Sequence, residues 1–183
     1  MSPAFVPVLD ENKTLVKIFG IFSFSFLTAL GAQIYIPLPW TPVPITMQTF
    51  FVLLSGVVLG GIPAGLSQMM YLIFGVLGLP VFAKGVSGLA RITGPTGGYI
   101  LGFILSSYVV GKLSRRNNSI LVLFLGMFIY LFLGAFQLMF VMNYSILETI
   151  NKGIIPFILG DTLKVLAIAG INLKFQKIFR GIF

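Results

Sequence analysis

Apolar residues run through this chain in long blocks, interrupted by short clusters of Pro, Gly and charge. Six blocks can be drawn with the spanning length of about 20 helical residues in mind: 15–36, 47–60, 62–79, 97–113, 119–142 and 154–173. The second is short, and Gly60-Gly61-Ile62-Pro63 separates it from the third. The run 47–79 can also be drawn as one kinked helix, but Gly-Gly followed by Pro is a strong stop and restart. The pattern predicts an all-α integral membrane protein, a single membrane domain over residues 1–183 with six transmembrane helices and no soluble appendage. No internal repeat is visible.

Two connections stand out. Residues 37–44, Pro-Leu-Pro-Trp-Thr-Pro-Val-Pro, favour extended, semi-rigid backbone. Residues 80–96 form a longer, Gly-rich stretch carrying Lys84 and Arg91, and Gly94-Pro95-Thr96-Gly97-Gly98 leads into the fourth helix. Irregular backbone at a membrane needs protein or water partners, so ordered loops folded over a pocket mouth are expected.

Composition sharpens this picture. The chain is 57% hydrophobic and 9% charged, with a net charge of +8; an ordinary soluble domain carries about 25% charge. Having no Cys and no His, it lacks disulfides, thiolate ligands, the usual general base and the commonest transition-metal ligand. Neither a metal site nor a catalytic residue is expected. The positive charge follows topology rather than nucleic acid. With both termini cytoplasmic, Lys13, Lys17, Lys112, Arg115, Arg116, Lys174, Lys177 and Arg180 lie inside, and Lys84, Arg91 and Lys152 outside. The first block also resembles a signal peptide, but it continues apolar to Ile36, and its loss would leave an odd span count.

Against this background Asp161 and Lys164 are conspicuous. They are an acid and a base three residues apart inside the otherwise apolar block 154–173. Each charge costs about 2.5–3.5 kcal/mol at the bilayer centre even on lenient scales. Three residues apart on a helix they share one face, extended by Phe157 and Ile168. The pair can be a self-contained ion pair, a ligand site, or both. Pro156 and Gly160 loosen the helix start and favour access from the outer side.

Other candidates carry two readings each. Arg91 is a solvated cation or, through its planar fork, a carboxylate ligand, and Lys84 poses the same choice. Trp40 is an interfacial anchor or a ring lidding a ligand. Gln33 and Gln48 can hold the proline-rich loop or contact a polar ligand. Small residues on the first helix, Ser25, Thr28, Ala29 and Ala32, allow close helix approach, within the chain or as a docking face for another membrane protein. Gly56-x-x-x-Gly60 and Gly98-x-x-x-Gly102 are expected to pack internally. Gly111-Lys112-Leu113-Ser114 is no P-loop, because Ser106 stands where the first Gly is required and Leu113 follows the Lys.

Taken in order, residues 32–38 (Ala-Gln-Ile-Tyr-Ile-Pro-Leu), Val43-Pro44-Ile45-Thr46 with Gln48-Thr49, Gly78 to Ala83, Gly94 to Tyr99, and Pro156-Phe157 with Gly160-Asp161 and Lys164 resemble the BioY family. These are the biotin-binding membrane subunits of energy-coupling-factor (ECF) transporters. The resemblance covers about residues 27–170. It implies a six-helix capture subunit (S component) in the bacterial or archaeal cell (inner) membrane, with biotin as ligand and no cofactor. It also implies a transmembrane coupling subunit and two cytosolic ATPase subunits as partners, so that the chain itself is not an enzyme.

By the same resemblance Asp161 and Lys164 are substrate ligands, and the residues themselves add Gln48, Trp40, Tyr99, Arg91 and Lys84 as further candidates. Ser25, Ala29 and Ala32 become the docking face. Biotin's chemistry fits independently. Asp161 can accept from a ureido N–H, Lys164 can neutralise Asp161 or donate to the ureido carbonyl, and a loop cation such as Arg91 can take the carboxylate. The alternatives are a solitary biotin transporter driven by gradients with Asp161 as proton site, the same fold for another small vitamin, and an intramembrane enzyme. The last lacks any nucleophile paired with a base.

Overall fold

A computed structural model describes the backbone of residues 11–114 and 119–182, and the side chains of 14–114 and 120–172. Each predicted block holds one main helix: α1 Glu11–Gln33, α2 Gln48–Leu59, α3 Gly61–Val76, α5 Gly97–Leu113, α6 Ser119–Met142 and α8 Ile155–Ile182. Among the described residues, Thr14–Gln33, Ile120–Met142 and Ile146–Asn172 are long and apolar enough to cross a membrane. Helices α2, α3 and α5 are apolar but shorter, at 12, 16 and 17 residues. The break between α2 and α3 falls at Gly60, whose φ of 81° is open to glycine and costly for other residues. Pro63 follows within the first turn of α3, where a missing N–H costs nothing.

Three connections carry structure that the apolar pattern does not announce. Strands β1 (Tyr35–Ile36) and β2 (Ile45–Thr46) pair antiparallel at the base of the proline-rich loop. The 80–96 connection contains a 3-10 turn, Ala83–Gly85, and a short helix α4, Leu89–Thr93. Between α6 and α8 lies α7, Ile146–Gly153, an amphipathic helix opened by a Ser145/Glu148 capping box. All three sit at the end of the molecule where α1, α3 and α6 finish and α2, α5 and α8 begin.

Helix α5 packs against α2, α3 and α6, and α8 closes over α2 and α6. Glycines permit the closeness. A methyl on Gly56 would lie 2.8 Å from Val110, and one on Gly98 would collide with the Leu133 carbonyl. Outward, Phe128, Phe132, Phe136 and Phe140 run down α6 as neighbouring rings, each more than half exposed. Such a stripe is expected on a helix facing lipid.

The small-residue face of α1 turns inward. Helix α1 packs on α2 and α3, and Ser25 and Ala32 are fully buried while Ala29 is half-buried against the core. The expected docking surface is therefore corrected at Ser25 and Ala32, which are buried, while Ala29 keeps part of its surface open. Small side chains bring α1 close to its own neighbours, and bulky Phe19, Phe22 and Phe26 face outward. Of the cations used to orient the chain, Arg115 and Arg116 lie outside the described residues. So do the side chains of Lys13, Lys174, Lys177 and Arg180.

Candidate functional site

Asp161 lies two turns into α8 and is 3% exposed. Lys164, one turn further, donates to its Oδ1 at 2.7 Å. Lys164 Nζ also donates to Thr49 Oγ1 at 2.8 Å and to the Thr46 carbonyl at 2.7 Å. An ammonium has three protons, and all three have protein acceptors. Thr49 Oγ1 in turn donates to Asp161 Oδ1 at 2.9 Å, closing the ring. Every one of these bonds to Asp161 falls on Oδ1, which leaves Oδ2 to accept from something else.

Local structure fixes this arrangement. Thr46 ends β2, whose pairing with β1 presents its carbonyl. The Met47 N–H donates to the Gly31 and Ile34 carbonyls, pinning the start of α2 to the end of α1. Gln48 accepts from Thr46 Oγ1 and donates to Tyr71 OH, and Tyr71 donates to the Val81 carbonyl. Gln33 adds a bond to the Phe82 carbonyl at 3.2 Å. The hairpin, α3 and the 80–96 connection are thereby tied into one rim.

The rim and helices enclose a cavity with an open mouth. Five of the sequence candidates line it: Asp161, Lys164, Arg91, Gln48 and Tyr99. Two do not. Lys84 is exposed on the 3-10 turn at φ 71°, and its neighbour Ala83 faces the cavity instead. Trp40 is 57% exposed at the hairpin tip, while Val43 and Pro44 of the same loop form wall. Lys84 and Trp40 are thus corrected as lining residues, because a tight turn and a loop tip point them away.

Arg91 projects from α4 into the cavity and forms no ion pair or side-chain hydrogen bond among the described residues; its Nε is buried without a partner. Burial lowers its pKa from the ordinary value, with Tyr71 opposing, yet a guanidinium stays charged in proteins. Gln137 of α6 holds the segment in place, donating to the carbonyls of Ile92 at 2.7 Å and Gly94 at 2.8 Å. Gly97 lets α5 start directly beneath, since a methyl there would collide with the Ile92 carbonyl.

Sequence reasoning missed Thr49, Thr96, Tyr130 and Phe103, which also line the cavity. Thr96 precedes α5, its hydroxyl buried and unbonded, and Tyr130 on α6 is the same. Phe157 was placed on the face of Asp161 and is found in the wall. Tyr99 packs against Phe157 and donates to the Gly153 carbonyl at 2.6 Å, so its ring is wall and its hydroxyl anchors α7. The charges facing the cavity are one carboxylate, already paired, and two cations, of which Arg91 is unpaired. Such a site suits a ligand with an anionic end, an N–H donor at the other, and an apolar body.

Comparison with known proteins places the chain among relatives. Residues 9–181 match the BioY family. The biotin transporter BioY of Thermotoga maritima is 40% identical over 167 residues, covering 85% of this chain and 92% of that protein. The probable biotin transporter BioY of Pyrococcus horikoshii is 39% identical over 141 residues, 77% of this chain and 84% of that one. The crystal structure of the S-component for biotin from an ECF-type ABC transporter superposes with a TM-score of 0.84 at 26% identity, covering 92% of this chain and 95% of the other.

Proposed function

The chain belongs to the BioY family, and on that premise we propose that it is the biotin-capturing subunit of an ECF uptake transporter, a multi-pass membrane protein rather than an enzyme. Biotin enters from the outer side, between the hairpin and α4. Asp161 Oδ2 accepts a ureido N–H. Lys164, its protons committed to Asp161, Thr49 and Thr46, neutralises the acid and fixes its rotamer. Arg91 takes the valerate carboxylate as a charge-assisted pair. Tyr99, Phe103 and Phe157 enclose the apolar sulfur ring and tail.

The observation that carries this reading is the pair of open valences at the site, an unpaired guanidinium and a free carboxylate oxygen. Biotin carries the matching groups at its two ends. Release inward would need a transmembrane coupling subunit and two cytosolic ATPases, with both termini cytoplasmic in the bacterial or archaeal cell membrane. The internal ion pair at Asp161 weighs against a solitary proton-driven carrier, whose acid must load and unload a proton.

Equilibrium binding of biotin to the purified chain in detergent tests the reading. Tight binding that Asp161→Asn and Lys164→Met both abolish is expected; absence of binding by the wild type would overturn it. Biotin uptake in cells that fails without the ATPase partners is the expected transport result. Persistence without them would favour the solitary carrier.

A further inference from the structure

Helix α6 carries Phe at 124, 128, 132, 136 and 140 and a single Tyr, at 130. Tyr130 is fully buried, and its hydroxyl has no hydrogen-bond partner. Its ring packs edge-on against Phe103 at 5.8 Å. Gly102 admits α6 so closely that a methyl there would lie 2.8 Å from Tyr130 Cα. Packing alone is satisfied by Phe, so the oxygen is the unexplained atom. It lies at the cavity wall beside Asp161 and Thr49, close enough to interact with both, though no contact meets ordinary hydrogen-bond geometry.

Thr49 and Lys164 cannot supply a donor to a ligand beside Asp161, because the Thr49 hydroxyl proton and all three Lys164 protons already go to protein acceptors. The phenol of Tyr130 is a donor with no protein acceptor in hydrogen-bond geometry, beside the Asp161 carboxylate, whose Oδ2 accepts no bond among the described residues. An acceptor and a donor side by side recognise an N–H adjoining a C=O, the edge of a cyclic urea, amide or imide. We propose that Tyr130 is a specificity-determining residue that donates to the ligand's carbonyl oxygen while Asp161 accepts from the neighbouring N–H. The inference rests on the reading of the ligand as biotin, whose ureido ring presents that edge.

The test compares wild type with Tyr130→Phe in detergent at neutral pH, using biotin and 2-iminobiotin, whose protonated cyclic guanidinium offers only N–H donors where biotin has its ureido oxygen. Tyr130→Phe is expected to weaken biotin about tenfold, the scale of one neutral hydrogen bond in a buried site, and to change 2-iminobiotin by less than about twofold. Stability without added ligand should change little, because the hydroxyl meets no protein group in ordinary hydrogen-bond geometry. Equal loss for both ligands, or a variant that is unstable without ligand, assigns the hydroxyl to the fold and overturns the proposal. Unchanged biotin affinity overturns it while leaving biotin capture intact. A wild type that binds no biotin removes both.

Discussion

Lys164 and Asp161 meet at 2.7 Å across one turn of α8, and Thr49 bonds to both. A buried acid held this way keeps its charge compensated from within the protein. Ligand binding need not supply the counter-ion. Lys164→Met should leave Asp161 buried and unpaired, destabilising the chain by about 3–5 kcal/mol, the usual penalty for breaking such a pair. Adding Asp161→Asn should restore much of that stability without restoring biotin binding. Thermal unfolding and biotin binding of the two single variants and the double variant read this directly. A double variant no more stable than Lys164→Met alone would show that the pair contributes little to the fold.

Gly97→Ala should weaken binding although Gly97 contributes no polar side chain. Its methyl would strike the Ile92 carbonyl, to which Gln137 donates, and α4 carrying Arg91 must shift to make room. Overpacking of this kind costs about 1–3 kcal/mol. Gly170→Ala, with nothing within 4 Å of the added methyl, serves as the control and should be neutral. Melting temperature and biotin affinity should fall together for Gly97→Ala.

The helices were legible because lipid-facing helices announce themselves as apolar blocks, and Gly60-Gly61 marked the α2–α3 break. Asp161 and Lys164 were legible because charge in an apolar run is costly. The 80–96 segment hid α4, since five residues leave no periodicity to read. The side on which Lys84 and Trp40 fall depends on turn geometry that spacing does not encode. Ser25, Ala29 and Ala32 show the limit of a small-residue stripe: the same spacing serves internal packing and docking, and here it serves packing. Tyr130 left a trace, a single Tyr among five Phe on α6, which gains meaning only when the cavity and Asp161 are seen beside it.

Trp40 and Lys84 should be nearly silent in binding. Both side chains are exposed and outside the cavity wall. Trp40→Ala and Lys84→Ala should each keep biotin affinity within about twofold, well below the effect of one lost hydrogen bond. A tenfold loss at Trp40 would mean that the hairpin tip folds over the ligand.

Arg91 should discriminate the ligand's tail. It is the unpaired cation at the cavity, and its planar guanidinium suits bidentate capture of a carboxylate. Arg91→Met should weaken biotin by about 1.5–3 kcal/mol, the range for a hydrogen bond to a charged group, or roughly 10–100-fold. Arg91→Lys should recover only part of this, because an ammonium keeps the charge and loses the fork. Biotin amide, whose tail is neutral, should bind wild type more weakly than biotin and lose little further in Arg91→Met. The contrast separates a carboxylate contact from a general role in holding α4, which would weaken both ligands alike. Binding of biotin should also weaken with added salt less than a surface charge pair would, since Arg91 is half-buried and screening is slight away from bulk solvent.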